Sequence, residues 1–146
     1  TEDHHRRFHE DGYFILPRVL DETTLALLRS ECGRYVEELD RWMDEQGVRV
    51  SGLNRKNDRY FIFNKWKDNE RLRGFLFGEL MASICRTTIG GDAYLFWEQF
   101  VVKFAEIGTR FAWHQDASYV EYPHDPYVTC WCALDDMTEE NGTVYV

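Results

Sequence analysis

The spacing of apolar residues changes near residue 93, and this change constrains the fold more than any other feature of the chain. Upstream, apolar residues recur every three or four positions, which is the period of an amphipathic helix. We predict one long helix between the N-cap residue Asp21 and Gly47, and a second between Asp68 and Gly90. Downstream, short runs rich in aromatic and β-branched residues are typical of strands.

Shorter segments add to this prediction. Residues 3–10 predict a polar helix that breaks at Asp11-Gly12, and residues 13–16 predict a short apolar strand ended by Pro17. Residues 59–64 predict either a strand or an ordered loop. Further strands are predicted over residues 94–104, 111–120, 127–134 and 143–146, the last directly after the hairpin signal Asn141-Gly142.

We therefore expect a single α+β domain over residues 1–146, with a mainly helical layer over residues 1–92 and the first strands of an antiparallel β-structure over residues 93–146. Strands that stop at Val146 would leave unpaired backbone groups at an open sheet edge. The expectation is that a partner chain, or further sequence of a longer protein, completes the β-core.

The acidic composition narrows the range of partners. Seventeen basic residues against 26 acidic ones give a net charge of −9, which offers no attraction to a phosphate backbone, so we expect no nucleic-acid partner. No apolar run reaches the roughly 18 residues of a membrane span, and the first residues lack the apolar core of a signal peptide. The four cysteines lack disulfide-scaffold spacing, so a cytoplasmic setting is expected, with Cys130 and Cys132 as buried strand cysteines rather than a soft-metal pair.

Two residues near the middle of the strand-rich part carry the chemistry. His114 and Asp116 are two positions apart, and on an extended strand side chains at that spacing point to the same face. An imidazole and a carboxylate so placed match two of the three groups of a 2-His-1-carboxylate facial triad, which leaves sites open on iron(II). The alternative is a buried histidine that is hydrogen-bonded to a nearby acid without any metal.

The order of motifs along the chain adds a family resemblance. The motifs are D-G-Y-F at 11–14, Q-x-x-x-K at 99–103, W-H-Q-D at 113–116, V-T-C-W at 128–131 and A-L-D-D-M-T-E-E-N-G at 133–142. Together they resemble the phytanoyl-CoA dioxygenase family. The resemblance implies an Fe(II)- and 2-oxoglutarate-dependent oxygenase that uses molecular oxygen to oxidise a C–H bond of a small molecule. It also implies a double-stranded β-helix, a jelly-roll or cupin-like core with N-terminal flanking helices.

The resemblance assigns roles to individual residues. His114 and Asp116 match the first two iron ligands of the family. Gln99 and Trp131 fall at positions that contact 2-oxoglutarate, whereas Lys103 matches a recurrent lysine to which we assign no role. Because related halogenases replace the carboxylate ligand with a small residue that admits chloride, the retained Asp116 favours hydroxylation over halogenation.

Three aromatic residues, Trp113, Tyr119 and Phe61, are candidates for the substrate side of the pocket. Core packing is the competing interpretation, and for Trp113 and Phe61 it is the preferred one. The residues predict neither the identity of the substrate nor the oligomeric state.

Two features of the family have no counterpart in the 146 residues. These are a distal iron-binding histidine and an arginine or similar residue that pairs with the 2-oxoglutarate carboxylate. The remaining histidines do not lie in that motif, and they are His4, His5, His9 and His124. Because two ligands without a third bind iron weakly, a non-catalytic cupin-like binding module is the alternative function. A zinc hydrolase ranks below both, since its general base has no clear candidate.

Overall fold

The computed structural model describes residues 1–91, 93–105, 111–124 and 126–146. Within these ranges, helices flank one antiparallel sheet. The helices are α1 (Glu2–Glu10), α2 (Glu22–Glu45), α3 (Glu70–Leu76) and α4 (Glu79–Thr88). The strands are β1 (Val50–Ser51), β2 (Asn54–Arg55), β3 (Arg59–Phe63) and β4 (Gln99–Lys103), and two short 3₁₀ helices cover Lys65–Asp68 and Asp116–Tyr119.

The helices α1 and α2 confirm two of the predicted helices, and the ends of α2 show why. The side chain of Asp21 accepts a hydrogen bond from the amide of Thr24 (2.7 Å), which satisfies a donor that the first helical turn leaves unpaired. Gly47 follows the helix with a φ of +64°. Glycine adopts this left-handed conformation without a steric penalty, so the helix ends where the sequence predicts.

The second predicted helix is wrong as a single element, because α3 and α4 replace it. The cap of α3 is Asn69, whose side chain accepts a hydrogen bond from the amide of Leu72 (3.1 Å), rather than Asp68. The chain turns between the two helices at Gly78, where a Cβ atom would lie 2.8 Å from the carbonyl oxygen of Gly74. Only a residue without a side chain fits this corner, and the apolar stripe alone does not reveal it.

The strand order in the sheet is β1-β2-β3-β4, with each neighbouring pair antiparallel. The longest pairing aligns β3 with β4, from Arg59 opposite Lys103 to Phe63 opposite Gln99. The segment 59–64, for which the sequence allowed a strand or a loop, therefore contains a strand. Because side chains alternate along a strand, the sheet has an inner face that packs on the helices and an outer face that does not.

The inner face of the sheet forms the core with α2 and α3. Two buried residues of β3, Tyr60 and Ile62, pack with residues from the helices, which are Leu28, Tyr35 and Leu72. Burial of each large side chain contributes roughly 1.5–3 kcal/mol. The hydroxyl of Tyr60 donates a hydrogen bond to Asp40 on α2 (2.5 Å) and accepts one from the amide of Asn57 (2.9 Å). Burial, together with the neighbouring Asp40, raises the pKa of Tyr60 to about 12.

A buried polar network joins α2 to α3. The Asn69 amide group donates to Glu31 (2.8 Å) and to the hydroxyl of Tyr35 (2.9 Å). Arg34 pairs with Glu31 at 2.6 Å, and Arg71 approaches the same carboxylate at 3.5 Å. The hydrogen bond from Arg34 is the main cause of the lowered pKa of Glu31, and it outweighs burial, which acts in the opposite direction. The network satisfies polar groups that would each cost about 1–3 kcal/mol if they were left unpaired.

Most of the predicted C-terminal strands are wrong within the described residues. A strand needs a hydrogen-bonded neighbour along its length, and of residues 94–104 only Gln99–Lys103 form a strand, which pairs with β3. The other strand predictions that fail lie at residues 13–16, 111–120, 127–134 and 143–146. Asn141-Gly142 does form a turn, in which the amide of Thr143 donates to the carbonyl of Thr138 (3.0 Å), but the turn joins no paired strands.

The C-terminal segment is held on α2 without joining the sheet. The Arg29 side chain donates to the carbonyl of Leu134 (2.5 Å) and pairs with Asp135 (3.2 Å), while Leu134 packs on the core. The mixture of helices and an antiparallel sheet confirms the α+β class. Among the described residues, no helix has the length and hydropathy required to span a membrane.

Candidate metal centre

His114 and Asp116 lie side by side, although residues 111–120 form no strand. Gln115 between them is extended, with φ of −114° and ψ of 130°, so the two flanking side chains leave the backbone on the same side. The Nε2 atom of His114 is 3.4 Å from the Oδ1 atom of Asp116, and each side chain is 41% exposed. An ion from solvent therefore has access to both atoms.

The other polar atom of each side chain is engaged by a neighbour. The Nδ1 atom of His114 lies 2.7 Å from the carbonyl oxygen of Ala112. Because a carbonyl only accepts, Nδ1 carries a proton, and in the neutral ring Nε2 is then the nitrogen that presents a lone pair. The Oδ2 atom of Asp116 accepts a hydrogen bond from the hydroxyl of Thr129 (3.0 Å), which leaves Oδ1 directed towards Nε2. Contacts of this kind orient the ligands of protein metal sites.

The geometry of the pair fits one divalent cation. Ligand atoms at right angles, with metal bonds of about 2.1 Å, lie about 3.0 Å apart, which is close to the observed 3.4 Å. An imidazole nitrogen with a carboxylate oxygen also matches the donor set of iron(II) sites. The set is incomplete, since no group of three or more His, Cys, Asp or Glu side chains in the described parts of the chain could hold a metal ion.

A small polar cluster adjoins His114 and Asp116, the two candidate metal ligands, which are called the metal pair below. The pKa of the Tyr127 hydroxyl is raised mainly by burial and also by the negative charge of Asp116. A hydrogen bond with Thr129 acts in the opposite direction but is the smaller effect. His124 contacts the edge of the Tyr127 ring, with 5.6 Å between ring centroids, and its Nδ1 atom lies against the carbonyl of Tyr122. His124 is therefore engaged in its own loop.

The cysteine pair predicted to be structural has protonated thiols. Cys130 retains exposed surface, but its thiol is surrounded by protein atoms, and this burial raises its pKa to about 11, with smaller contributions from Cys85 and Cys132. Burial also raises the pKa of Cys132. Soft-metal binding requires thiolates, so the raised pKa of each thiol argues against a soft-metal pair. Cys130 is nevertheless exposed, Cys132 is only partly buried and residues 127–134 form no strand, so the prediction of buried strand cysteines is wrong.

The outer face of the sheet lies next to the segment that leads into the metal pair. Phe111, three residues before His114, packs edge-on against Phe61 of β3, with 5.6 Å between ring centroids. The ammonium group of Lys103 is 4.5 Å from the centre of the Phe111 ring. Gln99 is four residues from Lys103 on β4 and so lies on the same face. The structure thus places Phe61 and Gln99 on the face that the Phe111 segment covers.

The other predicted site residues differ in their placement. Tyr119 packs edge-on against the His114 ring at 5.7 Å and is 72% exposed. Trp113 is 79% exposed, which contradicts the core packing preferred for it, whereas Phe61 is half-buried and compatible with either role. Trp131 is 53% exposed and makes no ring contact or hydrogen bond with the metal pair among the described residues.

Some neighbours of the site were not predicted from the sequence. Thr129 belongs to the V-T-C-W motif, but no local sequence pattern predicts that its hydroxyl bonds to Asp116. A cavity of about 400 Å³ also lies at one end of the sheet, lined by residues 51–54 together with Phe63 and Trp97. The alternation of Phe61 and Phe63 along one strand was the signal that could have placed both aromatic rings on a single face.

These features describe a domain whose helices pack on an antiparallel sheet and in which an imidazole and a carboxylate lie together at the surface. The sequence profile of the phytanoyl-CoA dioxygenase (PhyH) family matches residues 8–146. The chain therefore belongs to the phytanoyl-CoA dioxygenase family, and the resemblance drawn from its motifs is confirmed.

Two curated relatives of the chain are dioxygenases. The ectoine dioxygenase of Stutzerimonas stutzeri (strain A1501) is 29% identical over 144 residues, which cover 93% of the chain and 45% of that protein. The 2-aminoethylphosphonate dioxygenase of an uncultured bacterium (HF130_AEPn_1) is 24% identical over 148 residues, covering 97% of the chain and 55% of that protein. The chain thus spans about half the length of these relatives. No solved structure matches it significantly.

Proposed function

We propose that the protein containing this chain is an Fe(II)- and 2-oxoglutarate-dependent oxygenase that oxidises a C–H bond of a small-molecule substrate. Membership of the family and the two dioxygenase relatives support an oxygenase. The observation that carries the iron-dependent reaction is the approach of His114 Nε2 to Asp116 Oδ1 at 3.4 Å, with the other polar atom of each side chain already engaged.

In this proposal, His114 and Asp116 hold the metal. Iron(II), when bound with 2-oxoglutarate and molecular oxygen, supplies the oxidation of an unactivated C–H bond with release of succinate and carbon dioxide. The carbonyl of Ala112 keeps His114 in the tautomer whose Nε2 atom is unprotonated, and Thr129 holds the carboxylate of Asp116 in orientation. Such prior orientation lowers the entropic cost of binding the ion.

The remaining site residues are proposed for the two organic ligands. Gln99 is assigned to 2-oxoglutarate, and its exposed position on the outer face of the sheet supports this assignment. Trp131 is assigned to 2-oxoglutarate as well, because of its position in the family motif. Tyr119 is assigned to the substrate because its ring lies against His114. Trp113 and Phe61 extend the same aromatic surface, which would shelter the reacting centre from water.

The finer architecture is also part of the proposal. Residues 93–146 would begin a double-stranded β-helix on which residues 1–92 form the flanking helical layer of one domain. The distal histidine of the family, which has no counterpart in the 146 residues, would supply the third ligand. A cytoplasmic setting is supported by the cysteines, all four of which have free thiols.

A non-catalytic binding module is the second candidate, because the described residues bring together two metal ligands and not three. Anaerobic titration with iron(II) and 2-oxoglutarate separates the two functions. The oxygenase complex is expected to give a weak visible charge-transfer band, whereas a binding module is expected to give none.

Substitution of the carboxylate ligand tests the oxygenase directly. Asp116→Ala is expected to abolish succinate production and to leave the circular dichroism spectrum unchanged, since Asp116 packs in no core. Asp136→Ala, at another exposed aspartate of the C-terminal part, is the control and is expected to retain activity. Normal turnover by Asp116→Ala would show that its carboxylate is not a ligand.

A further inference from the structure

Three cationic residues form a row across the outer face of the sheet. The strand register places Arg55 of β2 opposite Arg59 of β3, and Arg59 opposite Lys103 of β4. Residues directly paired in antiparallel strands project from the same face, with Cβ atoms about 5 Å apart. Like charges at this separation repel one another, so the row is unfavourable to the fold unless a negative charge lies on it.

No carboxylate offsets this charge within the described ranges. Apart from the contact between His114 and Asp116, the ion pairs of the described residues involve basic residues outside the row. These are Arg6, Arg7, Arg29, Arg34, Lys56, Arg71 and Arg86. Lys103 directs its ammonium group at the ring of Phe111. Arg55 and Arg59, hereafter the arginine pair, therefore lack a negative partner among these residues.

The arginine pair presents hydrogen-bond donors in a defined orientation. The Nε atom of Arg59 donates to the carbonyl of Leu53 (3.2 Å), which fixes the guanidinium group, and its Nη atoms make no hydrogen bond with the described residues. Arg55 is exposed, and its side chain likewise makes none. Planar guanidinium groups match the paired oxygens of carboxylates and phosphates. The chemistry is that of an oxyanion site.

The position of the arginine pair connects it with the candidate metal centre. Phe61 is two residues from Arg59 on the same face of β3, a separation of about 7 Å. Phe61 also contacts Phe111, which begins the described segment that carries His114. An oxyanion on the arginine pair would therefore lie at the edge of the aromatic surface that leads to the metal ligands.

We infer that the arginine pair binds a carboxylate, phosphate or phosphonate group of the substrate, so that the substrate is a small organic anion. The inference rests on the proposed function for the existence of that substrate, whereas oxyanion binding itself needs no iron. The cosubstrate 2-oxoglutarate is another source of such a group, and the two sources are separated by experiment.

The first measurement is an NMR titration of the ¹⁵N-labelled full-length protein that contains the chain, with inorganic phosphate, and with chloride at equal ionic strength as the reference. The same full-length protein is used in the measurements that follow. We expect saturable binding, weakened about tenfold or more in Arg55→Gln by loss of a charge-assisted hydrogen bond. Arg41→Gln removes an exposed arginine of α2 and is expected to bind phosphate as the wild type does. Equal binding by wild type and Arg55→Gln, or identical shifts with chloride, would overturn the inference.

Arg59 is tested by a charge-conserving change, because Arg59→Gln would remove the positive charge and the planar guanidinium group together. Arg59→Lys keeps the charge but loses the planar fork, and its phosphate affinity is expected to lie between those of wild type and Arg55→Gln. Wild-type affinity in Arg59→Lys would contradict the bidentate recognition that the inference requires.

The second measurement identifies the source of the oxyanion. The dissociation constant of 2-oxoglutarate is determined anaerobically with iron(II), and Arg55→Gln is expected to leave it unchanged. A loss parallel to that for phosphate would assign the arginine pair to 2-oxoglutarate and overturn the substrate assignment. Failure of the proposed function would instead appear as absence of iron-dependent 2-oxoglutarate binding in the wild type, with phosphate binding intact.

Discussion

The hydrogen bond from Thr129 to Asp116 offers a direct test of how the metal pair is organised. Thr129→Val removes the hydroxyl and keeps the β-branched shape. A hydrogen bond to a charged group contributes about 1.5–3 kcal/mol. Because the side chain of Asp116 is 41% exposed, water replaces part of the 3.0 Å bond, and we expect a loss of about 1.4 kcal/mol, which is roughly a tenfold weaker metal affinity.

The assay is an anaerobic titration with Mn(II), followed by the electron paramagnetic resonance signal of the unbound ion. Wild type, Thr129→Val and Thr87→Val are compared. Thr87 is the matched control, because its hydroxyl also makes one hydrogen bond, to the carbonyl of Ser83 on α4 (2.9 Å). Thr87→Val is expected to leave the affinity for Mn(II) unchanged.

The two possible failures have different meanings. If Thr129→Val binds Mn(II) as tightly as wild type while Asp116→Ala does not bind it, the carboxylate is a ligand but Thr129 does not orient it. If neither substitution changes the affinity, the metal binds elsewhere and the assignment of His114 and Asp116 is refuted.

Three further predictions concern stability and the loop that contains His124. Asn69→Ala removes the α3 cap and two buried hydrogen bonds, so urea denaturation is expected to show a loss of about 2–4 kcal/mol, against about 1 kcal/mol for the exposed cap variant Asp21→Ala. Folding lowers the pKa of Glu31, so the ionised carboxylate stabilises the fold fully above its ordinary pKa of 4.5, and this stabilisation is lost as the pH falls through the lowered pKa. Glu31→Gln is therefore expected to reduce the dependence of the free energy of unfolding on pH in this acidic range. An unchanged pH dependence would contradict the assignment. His124→Ala is expected to leave succinate release nearly unchanged because His124 contacts its own loop, and complete loss of turnover would show that the loop contributes to the site.

The helices could be predicted where short-range signals suffice. In α2, the Asp21 cap, the apolar stripe and the left-handed Gly47 all act within a few residues of the helix they delimit. The corner at Gly78 is different, because a Cβ atom there would clash with the backbone carbonyl of Gly74, and the spacing of apolar residues does not reveal this clash. The apolar stripe continues through this corner and therefore predicts a single long helix where the structure has two short ones.

The strands were harder to predict than the helices. Whether a segment with strand-like composition becomes a strand depends on a partner at hydrogen-bonding distance, and that partner is remote in sequence. Residues 59–63 have one in β4, whereas residues 127–134 have no strand partner in the described parts of the chain, and at their end Leu134 and Asp135 contact Arg29 of α2.

The placement of His114 and Asp116 on the same side of the chain requires only an extended Gln115 between them, which is a local condition that their spacing of two residues suggests. The orienting bond from Thr129, which is 13 residues away, exists only because folding returns the chain to that point. The arginine pair depends likewise on the register of β2 with β3 and of β3 with β4. Covalent spacing controls geometry over two or three residues, but longer distances are decided by which surfaces pack together.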